Sequence, residues 1–149
     1  MKKCRRYLLV LSLLVFVSCD YWGTFHFIID NDTDEEVRIC YNPQIGRWED
    51  VLPTYEHGPD YELAYSDTDT ILSVESHCSL VWDIDAGPVG MNFPTEYDTP
   101  EAYNISPVWD RIKYVVIGTD TIPADNYSKD KWVRSAKKGG CYYTLKIKP

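Results

Sequence analysis

TFHFIID (residues 24–30), NDTDEE (31–36) and VRICY (37–41) form the stretch whose reading decides the fold. Apolar Phe25, Phe27 and Ile29 recur at every second position, which is the period of a half-buried strand and not of a helix. Val37, Ile39 and Tyr41 do the same against Arg38 and Cys40. Between the two runs, Asn31 to Asp34 are turn formers whose short side chains bond to nearby backbone. The pattern predicts a β-hairpin with the acidic loop DNDTDEE (30–36) at its tip.

The same grammar repeats downstream. TILSV (70–74), a turn at ESH (75–77) and CSLVWDID (78–85) predict a second hairpin, with Cys78, Leu80, Trp82 and Ile84 on one face. DRIKYVVIG (110–118) is the strongest β signal, because Val115, Val116 and Ile117 are β-branched and Gly118 ends the run. DTIP (120–123) supplies its return strand, and CYYTLKI (141–147) alternates with Cys141, Tyr143, Leu145 and Ile147 inward, closing the sheet. SKDKWVRSAKKGG (128–140) reads as one brief helix, with Ser128 as N-cap, Lys137 and Lys138 in its last turn and Gly139 as its stop. Residues 42–69 are irregular, with ELAY (62–65) a short strand among prolines and carboxylates. Ala86 to Pro107 is too rich in proline and glycine for a long helix or a central strand. These elements predict an all-β, two-layer antiparallel sandwich of immunoglobulin-like kind with at most one short helix.

Upstream, Lys2, Lys3, Arg5 and Arg6 precede an apolar run from Tyr7 to Val17 that is broken only by Ser12. That is the layout of a secretory signal peptide, and the run is shorter than the roughly 20 residues a membrane-spanning helix needs. FVSC (16–19) resembles the lipobox of bacterial lipoproteins, with Phe16 where Leu is more common. The expected organisation is a signal peptide over residues 1–18, an anchor and short linker over 19–23, and one sandwich domain over 24–149. Lipidation of Cys19 is expected to attach the chain to a membrane, each buried CH₂ contributing about 0.8 kcal/mol.

Removing the leader takes away four basic residues and no acidic ones, so the net charge of −8 becomes −12. Such a surface argues against nucleic acid as a partner. The charge is uneven: residues 20–110 carry −18 and residues 111–149 carry +6. Three cysteines then remain in the domain, enough for one disulfide and one thiol. Cys78 and Cys141, both on the apolar side of their strands, are the first choice, while Cys40 lies opposite its strand's large apolar residues.

Together the lipobox leader, FIIDNDTDEEVRI, TILSVESHCSLVW, DRIKYVVIG and YYTLKI resemble small, uncharacterised envelope lipoproteins of Bacteroidetes. The resemblance implies an outer-membrane, lipid-anchored β-sandwich, periplasmic or surface-exposed, and carries no activity with it. In that phylum an O-glycosylation signal runs Asp, Ser or Thr, then an apolar residue. Asp69-Thr70-Ile71 and Asp120-Thr121-Ile122 are similar to it, which makes Thr70 and Thr121 candidates.

Catalytic signatures are sparse. There is no Gly-x-Ser-x-Gly elbow, and His77 and Cys78 are neighbours on a chain whose alternation points them apart. Asp30, Asp32 and Asp34 imitate the start of a calcium loop, but Glu35 and Tyr41 stand where an EF-hand needs Gly and Glu. No cofactor or metal set is expected. Aromatics offer more: Trp48, Tyr55, Tyr61 and Tyr65 fall in the irregular stretch, and Tyr97, Tyr103 and Trp109 in or beside the long loop. Flat rings beside carboxylates suit sugars, whose C–H faces stack while their hydroxyls hydrogen-bond. The expected function is a non-enzymatic interaction or structural module, with a glycan-binding accessory protein as the alternative and an envelope protein or glycan as partner.

Overall fold

A computed structural model describes residues 21–42, 54–55 and 69–149, with residues 54–55 described in backbone only. Two sheets carry the fold. The five-stranded sheet has the order β3-β5-β1-β9-β8, formed by Thr54–Tyr55, Ser79–Val89, Tyr21–Asn31, Gly140–Ile147 and Val133–Lys137. The four-stranded sheet has the order β4-β2-β6-β7, formed by Thr70–Val74, Val37–Tyr41, Ile112–Ile117 and Asp120–Pro123. The only helices among the described residues are short 3₁₀ turns, so the chain is an all-β, two-layer sandwich.

The expected inward residues are inside. Phe25, Phe27, Ile29, Val37, Ile39, Tyr41, Leu80, Trp82, Tyr143, Leu145 and Ile147 are all buried in one core. Burial of such side chains contributes roughly 1.5–3 kcal/mol each before conformational entropy is charged against it.

The strands nevertheless pair differently from the expectation. β1 and β2 do not form a hairpin: β1 pairs with β5 and β9, and β2 pairs with β4 and β6. β4 and β5 also lie in opposite sheets. Both tips are therefore arches that carry the chain across the core, and the two apolar faces meet instead of lying side by side. A hairpin and an arch demand the same alternation along each strand, which is why the pattern fits both. The hairpin of β6 and β7 forms as expected, turning at Gly118.

Four further expectations are corrected. The helix over 128–140 is absent: a 3₁₀ turn at Lys129–Lys131 leads into β8, and Lys138 and Gly139 turn it back into β9. β9 does not close the sheet at an edge; it lies between β1 and β8 and runs parallel to β1, so the sandwich is not purely antiparallel. β5 continues to Val89, into the stretch expected to be loop, with an irregularity in its pairing opposite Gly23 and Thr24. β1 begins at Tyr21, so residues 21–23 are strand and not linker. ELAY (62–65) lies outside the described residues.

Candidate functional site

The arches meet at one end of the sandwich, and Asn31 joins them. Its buried side-chain NH₂ shares two hydrogens among the carbonyls of Glu35 (2.7 Å), Val74 (3.0 Å) and Glu75 (3.0 Å). Its carbonyl oxygen accepts from the Thr33 amide at 3.0 Å and the Thr33 hydroxyl at 2.7 Å. The Asn31 amide donates to Cys78 O at 3.0 Å and the Asp32 amide to Ile147 O at 2.8 Å, so the last strand is tied into the same knot. Ser76 Oγ donates to Thr33 O at 2.8 Å, bracing one arch on the other. Asp32, Asp34, Glu35, Glu36 and Glu75 point outward around this polar core. The acidic tip thus works as a stapled arch; of its candidate calcium ligands, Asp32 and Asp34 stay at the surface, while Asp30 is half-buried in β1 and accepts from Ser79 Oγ at 2.7 Å. Among the described residues no group of three or more His, Cys, Asp or Glu side chains is placed to hold a metal ion.

The opposite end is closed by residues 90–111. Phe93 sits edge-on to Phe25 (5.6 Å between centroids), and Tyr103 packs against both rings. Gly23 makes room for this plug, since a Cβ there would fall 2.7 Å from the Phe93 ring. Trp109 inserts among Phe27, Trp132 and Tyr143, with Lys129 Nζ 5.6 Å above its ring. Asp98 fastens the loop, accepting from the Thr95 amide at 2.6 Å and the Tyr103 hydroxyl at 2.7 Å. Burial acts to raise the Asp98 carboxyl, but these hydrogen bonds and the Arg134 charge outweigh it and hold it below the usual range. Burial and the Asp98 carboxylate together push the Tyr103 phenol up to about 12. The Arg134 guanidinium also donates to the carbonyl of Thr95, reaching the loop from β8.

Two of the expected loop aromatics are therefore structural: Trp109 is buried and Tyr103 half-buried against the core. Tyr97 alone of the three stays free at the surface, 80% exposed. Trp48, Tyr61 and Tyr65 lie outside the described residues, and of Tyr55 only the backbone is described, in β3. No binding surface built from these seven rings is assembled among the described residues.

The cysteine pairing is also corrected. Cys40, Cys78 and Cys141 are free thiols. Cys141 lies opposite Phe25 and Cys78 bonds to Asn31, six residues further along β1. At about 3.3 Å per strand residue they are far beyond disulfide reach. Cys141 is fully buried, and burial pushes its thiol up despite the nearby Arg134, so it stays protonated and inert. His77 sits in a left-handed turn (φ 58°) with its Nε2 3.2 Å from Asp34 Oδ1, not beside a nucleophile. The O-glycosylation candidates lie in strands, Thr70 at the start of β4 and Thr121 exposed in β7.

One polar constellation went unnoticed in the sequence. On the outer face of the five-stranded sheet, His26 Nδ1 lies 2.6 Å from Asp83 Oδ1, and the imidazole stacks on Tyr142 at 4.2 Å and 13°. Lys137 Nζ lies 5.1 Å over the same Tyr142 ring. Gly140 leaves space beside the imidazole, because a Cβ there would come 2.9 Å from Nε2. The register explains the cluster: His26 is opposite Asp83 on one side and Tyr142 on the other. Alternation places His26 and Tyr142 on the polar face of each strand, but only the parallel pairing brings them together. The result is a compact polar cluster in which Tyr142 is stacked by the imidazole and approached by the Lys137 ammonium, with the Asp83 carboxylate half-exposed at its rim.

No family model, no curated protein and no solved structure matches this chain. Among the described residues no helix is long and apolar enough to cross a membrane.

Proposed function

We propose that this chain is an envelope lipoprotein, acylated at Cys19 after removal of residues 1–18, whose sandwich serves as a non-enzymatic interaction or structural module at the outer membrane. The observation that carries the reading is FVSC at the end of a basic and apolar leader, directly ahead of the first strand. The resemblance to small envelope lipoproteins of Bacteroidetes points the same way.

The strand order supports an immunoglobulin-like sandwich. With β1 in the place of strand B, β5 and β3 take the places of E and D, and β2, β6 and β7 those of C, F and G. The departures are at strand A, whose place is taken by the parallel β9 with β8 beyond it, and at β4, which lies beside β2 but follows β3 in the chain.

Metabolic labelling with a fatty-acid analogue tests the anchor. Label in the wild-type chain and its loss in Cys19→Ala are expected; equal labelling of both would refute the assignment. For the partner, the polar groups of His26, Asp83 and Tyr142 on the outer face offer hydrogen bonds to a glycan or a peptide. A glycan array and a pull-down from envelope extract, each repeated with Tyr142→Ala, distinguish the two.

A further inference from the structure

The two ends of the sandwich differ in chemistry, and the chain enters at only one of them. Tyr21 pairs with Val89 and Trp22 with Pro88, which places the start of β1 beside the end of β5. The β8–β9 turn reaches the same end, with Lys138 Nζ 6.0 Å over the Tyr21 ring. Here large apolar side chains stand in water: Trp22 is 59% exposed, and Met91, at the tip of the turn closed by Phe93 N and Gly90 O, is 85% exposed. Lys137, at the end of β8, and Lys138, in the β8–β9 turn, are both exposed at this end, where the one carboxylate on β5 is the exposed Asp85 opposite Thr24. The far end, by contrast, carries Asp32, Asp34, Glu35, Glu36, Glu75 and Asp120.

An exposed tryptophan with an apolar neighbour and lysines at one rim is the composition of a membrane–water interface. Indole sits at headgroup depth, methionine reaches the acyl boundary, and lysine stems lie along apolar surface while their ammonium groups meet phosphate oxygens. We propose that the Tyr21 end of the sandwich is a membrane-docking rim, in which Trp22 and Met91 enter the bilayer interface and Lys137 and Lys138 contact lipid headgroups. The occupant is a lipid bilayer surface and not a second copy of the chain, since the chain leading from the leader joins this end. The proposal rests on the anchor reading of Cys19 for its geometry. Only Asp20 separates Cys19 from Tyr21, and a chain spans at most about 3.6 Å per residue, so the first strand starts within about 7 Å of the Cys19 backbone. No slack remains to hold the rim away from the bilayer, and the acidic end is directed outward, away from lipid phosphates.

The test uses the full chain, recovered with its own modification and mixed with phosphatidylcholine–phosphatidylethanolamine vesicles that carry brominated acyl chains. Bromine near the carbonyl end of the acyl chain quenches indoles inserted into the interface and not those held in water, and the difference in emission between wild type and Trp22→Phe isolates Trp22. Quenching of that difference by about half is expected for an interfacial indole. A reporter at the acidic end, Glu75→Trp in the Trp22→Phe background, is expected to remain unquenched. Fatty-acid labelling of the same preparations reads the anchor separately. A labelled protein whose Trp22 emission ignores the bromolipid overturns the rim and leaves the anchor standing. An unlabelled protein with quenched Trp22 overturns the anchor and leaves the rim standing. Equal quenching at Glu75→Trp overturns the orientation.

Discussion

The two ends of this sandwich are closed by opposite means. At the arch end a single buried asparagine satisfies three carbonyls and braces the β1–β2 and β4–β5 connections, so a short polar loop suffices. At the other end more than twenty residues fold over the opening and plug it with Phe93, Tyr103 and Trp109. Directional hydrogen bonds can close a gap with few atoms, provided every buried polar group finds a partner. Apolar closure tolerates looser geometry, but it takes a longer chain to carry the rings. The difference teaches where each end should fail: the arch by losing one amide, the plug by losing volume.

The largest effect is expected from Trp109→Ala. Removing an indole packed against Phe27, Trp132 and Tyr143 should cost about 3–5 kcal/mol in urea-induced unfolding, the range for large aromatic deletions in cores. Asn31→Ala should follow at about 2–3 kcal/mol, because it leaves the Val74 carbonyl and its neighbours without their donor. Asn31→Asp sharpens the contrast: it keeps the shape and the acceptor but removes the donors, and should be no more stable than alanine. If Asn31→Ala proves nearly silent, the comparison breaks, and the arch is held by strand pairing alone.

A smaller effect is expected from Asp98→Asn, about 1 kcal/mol for weakened charge-assisted hydrogen bonds to Thr95 and Tyr103. Its signature is in the pH dependence. The folded Asp98 carboxyl titrates below its ordinary value of 3.8, so its stabilisation is complete above that value and is lost as pH falls through the lower one. Melting temperatures in acid should therefore fall less steeply in the asparagine variant. The smallest change is expected from His26→Ala, about 0.5 kcal/mol or less by thermal melting, since its partner Asp83 is exposed and solvent screens the pair.

Face was legible in this sequence and partnership was not. Period-two alternation identified Phe25, Phe27, Ile29, Leu80, Trp82, Tyr143 and Leu145 as inward residues, and each is buried. It was silent on whether β1 turned into β2 within one sheet or crossed to the other, because both choices present the same face to the core. The deciding group was the side-chain amide of Asn31, which reads in sequence as one more turn former. Lys138 and Gly139 misled in a similar way: a basic residue before glycine marks a helix end, but here the pair forms a tight turn between two strands. The His26, Asp83 and Tyr142 cluster lay on three strands separated by more than fifty residues each. Their adjacency depends on β9 lying parallel beside β1, which no local pattern encodes. Trp109 and Tyr103 looked like binding residues because they stood among prolines and glycines, yet a loop that must seal a core supplies its own rings.

The placement of β9 has a consequence for the order of assembly. β1 is a central strand, and one of its two neighbours is the last strand made. Until residues 140–147 arrive, one whole edge of the first strand has no partner, so nearly the entire length of the chain separates two segments that must meet. Contacts of such long sequence separation slow folding and concentrate it into one late step. The five-stranded sheet is thus completed only when residues 140–147 dock against β1.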